Sequence, residues 1–370
     1  MHLLKRRDLY LLLVAIICVV SLFIPCFISI SQNAGVYEDD VHAFMSPHTV
    51  KTSIIEGSEE EAPPVPALDL EATDCTEILK KFRADEIEVA KSTEIFDYKR
   101  SFVTLTKTDK PFYIATHDKD IDQVRASIME NKFYYEQELT KRVAEIFEEK
   151  RAQGKESIMI DVGANIGWFS LVAAAHGATK VYSFEPNLQN TVRFCESLSL
   201  NHWLREDRSK DIVFPISKGV GKSEEKKNLY MVDENNPGSF TFNKDVARPD
   251  KVVGEMEITT LDLFAERHRW FDSKPSIGLF KLDVEHFEEE VLEGARKLLR
   301  SSLIEKIAME LKPSTNSEDR ESKIVKELFD AGYEFYMHGK WMGPNEKVTK
   351  KYDEWQELVA DIKNETYGEN

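Results

Sequence analysis

The stretch from Ile158 to Pro186 constrains the fold more than any other part of the chain. It begins with a short apolar run that ends at Asp161, passes two glycines, and continues as a helical pattern of apolar residues. A second apolar run then ends at Glu185. This order is typical of a strand–turn–helix–strand unit. Further strands alternate with helices downstream, which predicts an α/β fold with a parallel sheet.

The glycine turn and the acid that closes the second strand predict a nucleoside-binding site. Glycine permits tight or left-handed backbone and lets a ligand approach the main chain. The N–H groups at the start of the following helix then face that ligand. Glu185 lies 24 positions after Asp161, where an acid in such units hydrogen-bonds ribose hydroxyls. We therefore expect a ligand that contains adenosine.

The spacing of the turn narrows the choice of ligand. Gly163, Asn165 and Gly167 form a G-x-N-x-G loop, whereas dinucleotide folds use G-x-G-x-x-G over a pyrophosphate. A loop without the third glycine fits a ligand without phosphate, such as S-adenosylmethionine, whose cationic end Asp161 would help to bind. The alternative is a glycine turn that binds nothing, but a turn alone would not require both Asp161 and Glu185.

Four blocks of sequence resemble the FkbM family of S-adenosylmethionine-dependent methyltransferases. They follow the family's order within about residues 125–340, and they are DVGANIGWFS, SFEP, TTLDLF and FKLDVEHFEEEVLEGARKLL. The resemblance implies a Rossmann-like class I methyltransferase fold, which has a mostly parallel seven-stranded sheet with helices on both faces. It also implies S-adenosyl-L-methionine as the cofactor and methylation of a hydroxyl group as the reaction.

The apolar run from Ile277 to Leu282 is predicted to be the strand that presents the catalytic residues. Open parallel sheets bind ligands beyond the carboxyl ends of their strands, so Asp283 and Glu285 are expected to point toward the donor methyl group. Asp283 is the first candidate for the base or for orienting the acceptor, followed by Glu285 and His286. The alternative for Asp283 is that it only anchors the donor's amino group.

His286 departs from the family pattern, which usually has glycine at this position. Its bulk is expected to narrow the acceptor pocket, supply a base or weaken activity. A lone histidine is more often a packed or surface residue, and this alternative stays open.

The resemblance adds further candidate residues. Glu136, which follows two tyrosines, is expected to reach the ligand's amino group, unless it is only an acid in the first turn of a helix. Ser217, at the end of the third core strand, is expected to flank the adenine. The resemblance places a polar insert with Asn236, Gly238 and Ser239 near the substrate. It places Asp262, at the start of a helix, beside the cleft. A surface hairpin and an ordinary first-turn acid are the alternatives.

The composition argues against nucleic acid as a partner. A net charge of −17 over 370 residues opposes binding to phosphate backbones, which require basic surfaces. The four cysteines are Cys18, Cys26, Cys75 and Cys195. One bridge between Cys75 and Cys195 is possible, but we expect two free thiols. No metal site is predicted, because no cysteine or histidine has the spacing of one.

The N-terminus predicts a membrane anchor. Residues 9–30 are 22 residues without a charge, which as a helix would span roughly 33 Å, enough to cross a bilayer. Basic residues 5–7 precede this run and acids follow it. The predicted topology is therefore a single-pass type II protein whose catalytic domain faces the lumen of the Golgi or endoplasmic reticulum. A cleaved signal peptide is the alternative, although this run is longer than such peptides have.

These features divide the chain into six predicted segments. They are a cytoplasmic tail (1–8), a transmembrane signal anchor (9–30), an acidic proline-containing stalk (31–75), a lead-in segment (76–151), the FkbM-like core (152–349) and a charged tail (350–370). The expected acceptor is a hydroxyl on a glycan, a lipid or a small metabolite, and the membrane location favours a glycan. In a lumenal domain, the sequon at Asn364 would be open to glycosylation.

Other functions stay open at this point. A catalytically silent FkbM-like binding module would accommodate His286. A metal-dependent glycosyltransferase would use the D-x-D patterns of Asp118, Asp120 and Asp122, although a solvated acidic loop is the favoured explanation of these residues. A nicotinamide-dependent oxidoreductase fits the glycine spacing least.

Overall fold

The computed structural model describes ten stretches of the chain. They are residues 27–32, 72–89, 101–117, 123–130, 135–233, 236–248, 250–310, 327–328, 330–337 and 340–341. Most of the predicted anchor and stalk, the D-x-D patterns, the sequon at Asn364 and the charged tail lie outside these residues.

The strands of the described part are numbered in chain order. They are β1 (Phe27–Gln32), β2 (Phe102–Leu105), β3 (Tyr113–Thr116), β4 (Ile158–Val162), β5 (Lys180–Phe184), β6 (Val213–Ile216), β7 (Gly219–Val220), β8 (Glu225–Asp233), β9 (Asn236–Thr241), β10 (Val252–Thr259), β11 (Ile277–Leu282), β12 (Lys306–Glu310), β13 (Tyr333–Met337) and β14 (Lys340–Trp341).

The helices are numbered in the same way. They are α1 (Cys75–Val89), α2 (Gln123–Glu130), α3 (Gln137–Ala152), α4 (Trp168–His176), α5 (Leu188–Leu200), α6 (Leu261–Arg267), α7 (Trp270–Ser273), α8 (Glu288–Glu293) and α9 (Arg296–Leu299).

Eight of the described strands form the central sheet, in the order β14-β13-β1-β12-β11-β4-β5-β6. The neighbours from β12 to β6 run parallel. Strand β1 is antiparallel to both β12 and β13, and β14 is antiparallel to β13. The predicted α/β fold with a mostly parallel sheet is confirmed. The predicted count of seven strands is wrong, because β1 comes from residues that the sequence pattern assigned mainly to a membrane helix.

Strand β4 explains why helices cover both faces of this sheet. All five of its residues are buried, and successive side chains of a strand point to opposite faces. Ile160 and Val162 pack in one hydrophobic cluster with α6 and α8, whereas Met159 packs in a second cluster with α3 and α4. A strand that is buried on both faces needs the nearly continuous apolar run seen in the sequence.

Two smaller sheets flank the central one. Strands β7, β10, β8 and β9 form a four-stranded sheet in that order, and β2 pairs with β3. The polar insert that contains Asn236 and Ser239 therefore includes a hairpin of β8 and β9, with Tyr230 opposite Thr241. The sequence analysis did not anticipate its third long strand, β10, which pairs antiparallel with β8.

Several details of the core follow from residue type. Gly177 ends α4 in a left-handed conformation with φ +111°. The hydroxyl of Thr260 caps α6 by accepting a hydrogen bond from the N–H of Leu263. Pro215 lies in β6, at the edge of the central sheet, where proline costs no ladder hydrogen bond.

The expectation of two free thiols is wrong, because Cys75 and Cys195 form a disulfide bridge. Cys75 is the first residue of α1 and Cys195 lies in α5, and the two helices pack against each other. The cysteines are 120 residues apart, so no local pattern in the sequence could indicate that they meet.

Strand β1 also revises the end of the predicted anchor. Residues 27–30 were expected to be helical, but they lie in a strand that pairs with β12 and β13. The alternating apolar and polar residues of FISISQ are typical of a strand. The sequence analysis assigned residues 27–30 to a helix because they continue the uncharged run. Residues 9–26 lie outside the described residues. Among the helices that are described, none is both long and apolar enough for a membrane crossing.

Candidate active site

A cleft lies at the carboxyl ends of β4, β5 and β11. The empty space within it, which includes open solvent, is about 830 Å³. Its floor comes from the turns that follow these strands, at residues 162–166, 184–186 and 283–285. Aromatic side chains line it as well, and they are Tyr135, Trp168, Phe169, Phe184, Phe240 and Phe242. Parallel sheets bind their ligands at this edge.

The turn after β4 has left-handed backbone at all three predicted positions. The φ angles are +81° at Gly163, +52° at Asn165 and +87° at Gly167. A Cβ atom on Gly163 would lie 1.7 Å from the carbonyl oxygen of Asp283, and one on Gly167 would lie 2.2 Å from the ring of Phe194. Both glycines are therefore required by close packing within the protein, whether or not a ligand approaches the turn.

Glu185 lines the cleft and is only 6% exposed. One carboxylate oxygen accepts a hydrogen bond from the N–H of Asn165 at 2.8 Å, and the other accepts from the N–H of Asn187 at 2.9 Å. Burial raises the pKa of Glu185 to about 7, although these hydrogen bonds favour the ionised form. The acid thus connects the turn after β4 to the start of α5, and its remaining lone pairs are available to ribose hydroxyls.

Asp161 is fully buried rather than exposed in the cleft. Its carboxylate accepts a hydrogen bond from the hydroxyl of Ser170 at 2.6 Å and lies 3.5 Å from the ammonium of Lys281. Burial raises the pKa of Asp161, and Lys281 and Ser170 oppose that rise. In this arrangement, Asp161 balances the charge of a buried lysine. Its predicted role at the donor's cationic end stays a prediction.

Lys281 is the residue that the sequence analysis missed. It is the fifth residue of β11 and is 3% exposed. Burial by itself would lower its pKa, but the charges of Asp283, Asp161 and Glu136 raise the pKa above the ordinary value for lysine. The signal was present in the sequence, since a single cation within the apolar run IGLFKL requires partners in a buried strand.

Asp283 and Glu285 line the cleft directly after β11, as predicted for the catalytic strand. The carboxylate of Asp283 lies 3.4 Å from the ammonium of Lys281, and its N–H donates to the carbonyl of Val162. The adjacent His286 is partly buried and is not among the residues that line the cleft. Glu285 and His286 both have left-handed backbone, with φ +51° and +68°, which explains why glycine suits the position of His286.

The two candidates from outside the core blocks lie at different places. Glu136 begins α3 with φ +37° and lies close enough to Lys281 to raise the pKa of that lysine. Ser217 follows β6, where its N–H donates to the hydroxyl of Thr73 at 2.9 Å and its own hydroxyl accepts from Thr73 at 2.9 Å. Lys218, rather than Ser217, lines the cleft. The segment before α1 therefore covers the end of β6.

Of the remaining candidates, one lines the cleft and another makes hydrogen bonds that stabilise the fold. Ser239, in β9, lines the cleft, and the backbones of Asn236 and Gly238 belong to the same strand. Asp262 accepts hydrogen bonds from the N–H groups of Lys297 and Leu298, so it stabilises the start of α9. Among the described residues, no cluster of histidine, cysteine, aspartate and glutamate is arranged to bind a metal ion.

The side chains that line the cleft fit S-adenosylmethionine. Glu185 offers carboxylate oxygens to a ribose, and Asp283 and Glu285 offer negative charge to a cationic sulfonium or ammonium group. Apolar surface for a base comes from Ile166 and Phe184. A dinucleotide would instead need the pyrophosphate loop that this turn lacks.

Comparison with known proteins finds a family match over the segment that contributes most of this cleft. The family model of the methyltransferase FkbM domain matches residues 161–335, a segment that includes the glycine turn, Glu185 and Asp283. The resemblance found in the sequence is thus confirmed over residues 161–335. No curated protein matches the chain.

Two solved structures are similar to parts of the chain. Methyltransferase FkbM from Methylobacillus flagellatus KT is 18% identical, with 39% of this chain and 30% of that chain covered and a TM-score of 0.26. A proposed SAM-dependent methyltransferase from Streptococcus mutans is 12% identical, with 63% of this chain and 46% of that chain covered and a TM-score of 0.32. The chain therefore spans less than half the length of either protein.

Proposed function

We propose that this chain, which carries a methyltransferase FkbM domain over residues 161–335, transfers a methyl group from S-adenosylmethionine to a hydroxyl group. One observation carries the proposal. The glycine turn after β4, the acid Glu185 after β5 and the acids Asp283 and Glu285 after β11 all meet at one cleft. This combines a ribose acceptor and negative charge within a single cleft.

The protein's contribution to such a reaction is orientation and acceptance of a proton. S-adenosylmethionine supplies a methyl group that is already activated by the sulfonium. The acceptor oxygen forms the new C–O bond as the S–C bond breaks, and the hydroxyl proton passes to a carboxylate in the cleft. Asp283 is the first candidate for that carboxylate, with Glu285 second. Glu185 orients the ribose and so fixes the position of the sulfonium.

We further propose that the domain works in an oxidising compartment on the lumenal side of a membrane. The disulfide between Cys75 and Cys195 supports this location, since such bridges persist mainly outside the cytosol. The uncharged run at residues 9–26, which precedes β1, supports a membrane attachment, because 18 residues as a helix would span roughly 27 Å. An acceptor hydroxyl on a glycan, a lipid or a small secreted metabolite fits this location, and a glycan fits it best.

Titration calorimetry of the full-length chain with S-adenosylmethionine tests the proposal. We expect micromolar binding by the wild type and at least about tenfold weaker binding by Glu185→Ala, since a ribose-binding carboxylate is lost. Glu148→Ala is the matched control. Its carboxylate pairs with His176 and Lys110 on the surface away from the cleft, so this variant should bind like the wild type. A folded wild-type protein that does not bind the donor would contradict the proposal.

A further inference from the structure

A buried lysine contacts both the glycine turn after β4 and the loop after β11. The ammonium of Lys281 donates a hydrogen bond to the carbonyl of Gly163 at 2.8 Å. It also lies 3.4 Å from the carboxylate of Asp283 and 3.5 Å from that of Asp161. Gly163 belongs to the turn expected at the donor, and Asp283 belongs to the loop expected at the reacting hydroxyl. One side chain therefore contacts both.

Stability of the fold does not explain this lysine. Among the buried residues of the described part, Lys281 is the only lysine. Burial of an ammonium group is costly, and a well-packed apolar residue in place of a buried ion pair is often equally or more stable. The neighbours of Lys281 in β11, Phe280 and Leu282, show that apolar side chains suit this strand. The cation must therefore contribute something that an apolar residue would not.

Its geometry indicates what that contribution is. An ammonium has three N–H donors and no acceptor, and here it faces one carbonyl and two carboxylates. The ammonium of Lys281 donates a hydrogen bond to the carbonyl of Gly163 and attracts the carboxylate of Asp283 at the same time. The close approach of these two segments is independently visible, because a Cβ on Gly163 would meet the carbonyl oxygen of Asp283.

We propose that Lys281 is a positioning residue for methyl transfer. It sets the distance between the glycine turn and Asp283, and hence between the bound donor and the carboxylate that receives the acceptor. Asp161 balances its charge from within the protein. This inference rests on the proposed function, and Lys281 acts only through Gly163 and Asp283.

Donor titration of a set of variants of the full-length chain tests the inference. Lys281→Met alone would leave Asp161 buried without its cation, so it is combined with Asp161→Asn, which removes both charges. We expect this paired variant to bind S-adenosylmethionine at least about tenfold more weakly than Asp161→Asn alone.

Rescue by a small cation separates positioning from packing. Lys281→Ala, made in the Asp161→Asn background for the same reason, leaves room for ethylammonium, which should restore donor binding, whereas sodium chloride at the same concentration should not. Lys150→Met is the matched control. It removes a lysine that pairs with Glu305 outside the cleft, and donor affinity should stay unchanged.

The outcomes distinguish this inference from the proposed function. A folded wild-type chain that does not bind S-adenosylmethionine would overturn both. Binding by the wild type together with equal affinity of the paired variant and Asp161→Asn would overturn the role of Lys281 alone. If ethylammonium and sodium chloride restored donor binding by Lys281→Ala equally, the role of Lys281 would be overturned as well.

Discussion

The carboxylate of Glu185 accepts a hydrogen bond from the backbone N–H of Asn165, 2.8 Å away and 20 residues earlier in the chain. The acid after β5 thereby fixes the glycine turn after β4. Since burial also raises the pKa of Glu185 to about 7, the turn depends on a group that titrates near neutral pH.

This coupling predicts a pH-dependent stability of the ligand-free protein. The pKa of Glu185 is about 7 in the folded state and 4.5 in its ordinary state, so the folded state binds more protons between these values. The free energy of unfolding should therefore fall as pH rises through this window, by up to roughly 3 kcal/mol. Denaturant unfolding at pH 4.5, 5.5, 6.5 and 7.5 measures the change.

Glu185→Gln is the control for that experiment, because glutamine does not titrate. Other carboxylates contribute to both curves, so the difference between wild type and variant isolates Glu185. The two proteins should differ in the slope of stability against pH between about 4.5 and 7. Parallel curves over this range would show that Glu185 is not the group responsible.

Gly163→Ala should destabilise the domain by several kcal/mol. Its φ of +81° is unfavourable for alanine, and the new Cβ would lie 1.7 Å from the carbonyl oxygen of Asp283. Since that atom is backbone, relief requires the loop after β11 to move, and donor binding should weaken too. Denaturant unfolding and donor titration of the same sample measure the two effects.

Gly154→Ala separates the two causes of that loss. Gly154 also has a positive φ, +65°, but a Cβ there would have nothing within 4 Å. We expect a loss of only about 1 kcal/mol, from backbone strain alone. Equal losses for the two variants would mean that the contact between the turn and Asp283 is not as close as described.

The sequence was sufficient for the parts of the fold that depend on local patterns. Strand β4, the glycine turn and the end of β5 directly before Glu185 follow from short-range periodicity, and the structure places all of them as predicted. The cleft at the carboxyl ends of the strands follows from the parallel sheet, because that edge collects the turns. Asp283 was therefore predicted to lie there without knowledge of its partners.

The features that the sequence analysis missed depend on contacts between distant residues. The partners of Lys281 are Gly163 and Asp161, over 100 positions earlier in the chain, and no spacing rule connects them. Likewise, Thr73 bonds to Ser217 across 144 positions. Strand β1 pairs with β12 and β13 near the opposite end of the chain. Such pairings are decided by which surfaces meet in three dimensions.

We expect the disulfide between Cys75 and Cys195 to contribute strongly to the free energy of unfolding. It joins residues 120 positions apart, and removal of a native bridge typically costs about 2–5 kcal/mol. Replacing Cys75 and Cys195 together by serine should lower the free energy of unfolding by an amount in this range. Denaturant unfolding with and without a reducing agent measures it, and reductant should destabilise the wild type but leave the variant unchanged.

The same bridge should also affect the end of β6. Thr73 precedes Cys75 by two residues and bonds to both Pro215 and Ser217. Loss of the bridge should therefore accelerate hydrogen exchange at the N–H of Ser217, which donates to Thr73. Unchanged exchange at Ser217 in the serine variant would show that the segment before α1 is fixed without the disulfide.

The left-handed backbone of His286 predicts that glycine is tolerated at this position. Its φ is +68°, a conformation that costs a non-glycine residue about 1 kcal/mol or more. His286→Gly removes this strain but gives the unfolded chain more freedom. The free energy of unfolding should therefore stay equal or rise by up to about 1 kcal/mol. Donor affinity should not change, because His286 is not among the residues that line the cleft.

His202→Gly is the matched control, since His202 is an exposed histidine with a φ of +57° in the turn after α5. Both variants relieve the same kind of strain, and only His286→Gly removes a partly buried imidazole from the loop after β11. Equal changes in stability would show that the ring of His286 contributes little to the fold. A loss above about 1 kcal/mol for His286→Gly alone would instead assign the ring a stabilising contact, because the backbone effect is matched in the control. Weaker donor binding by His286→Gly alone would contradict the position of His286 outside the cleft.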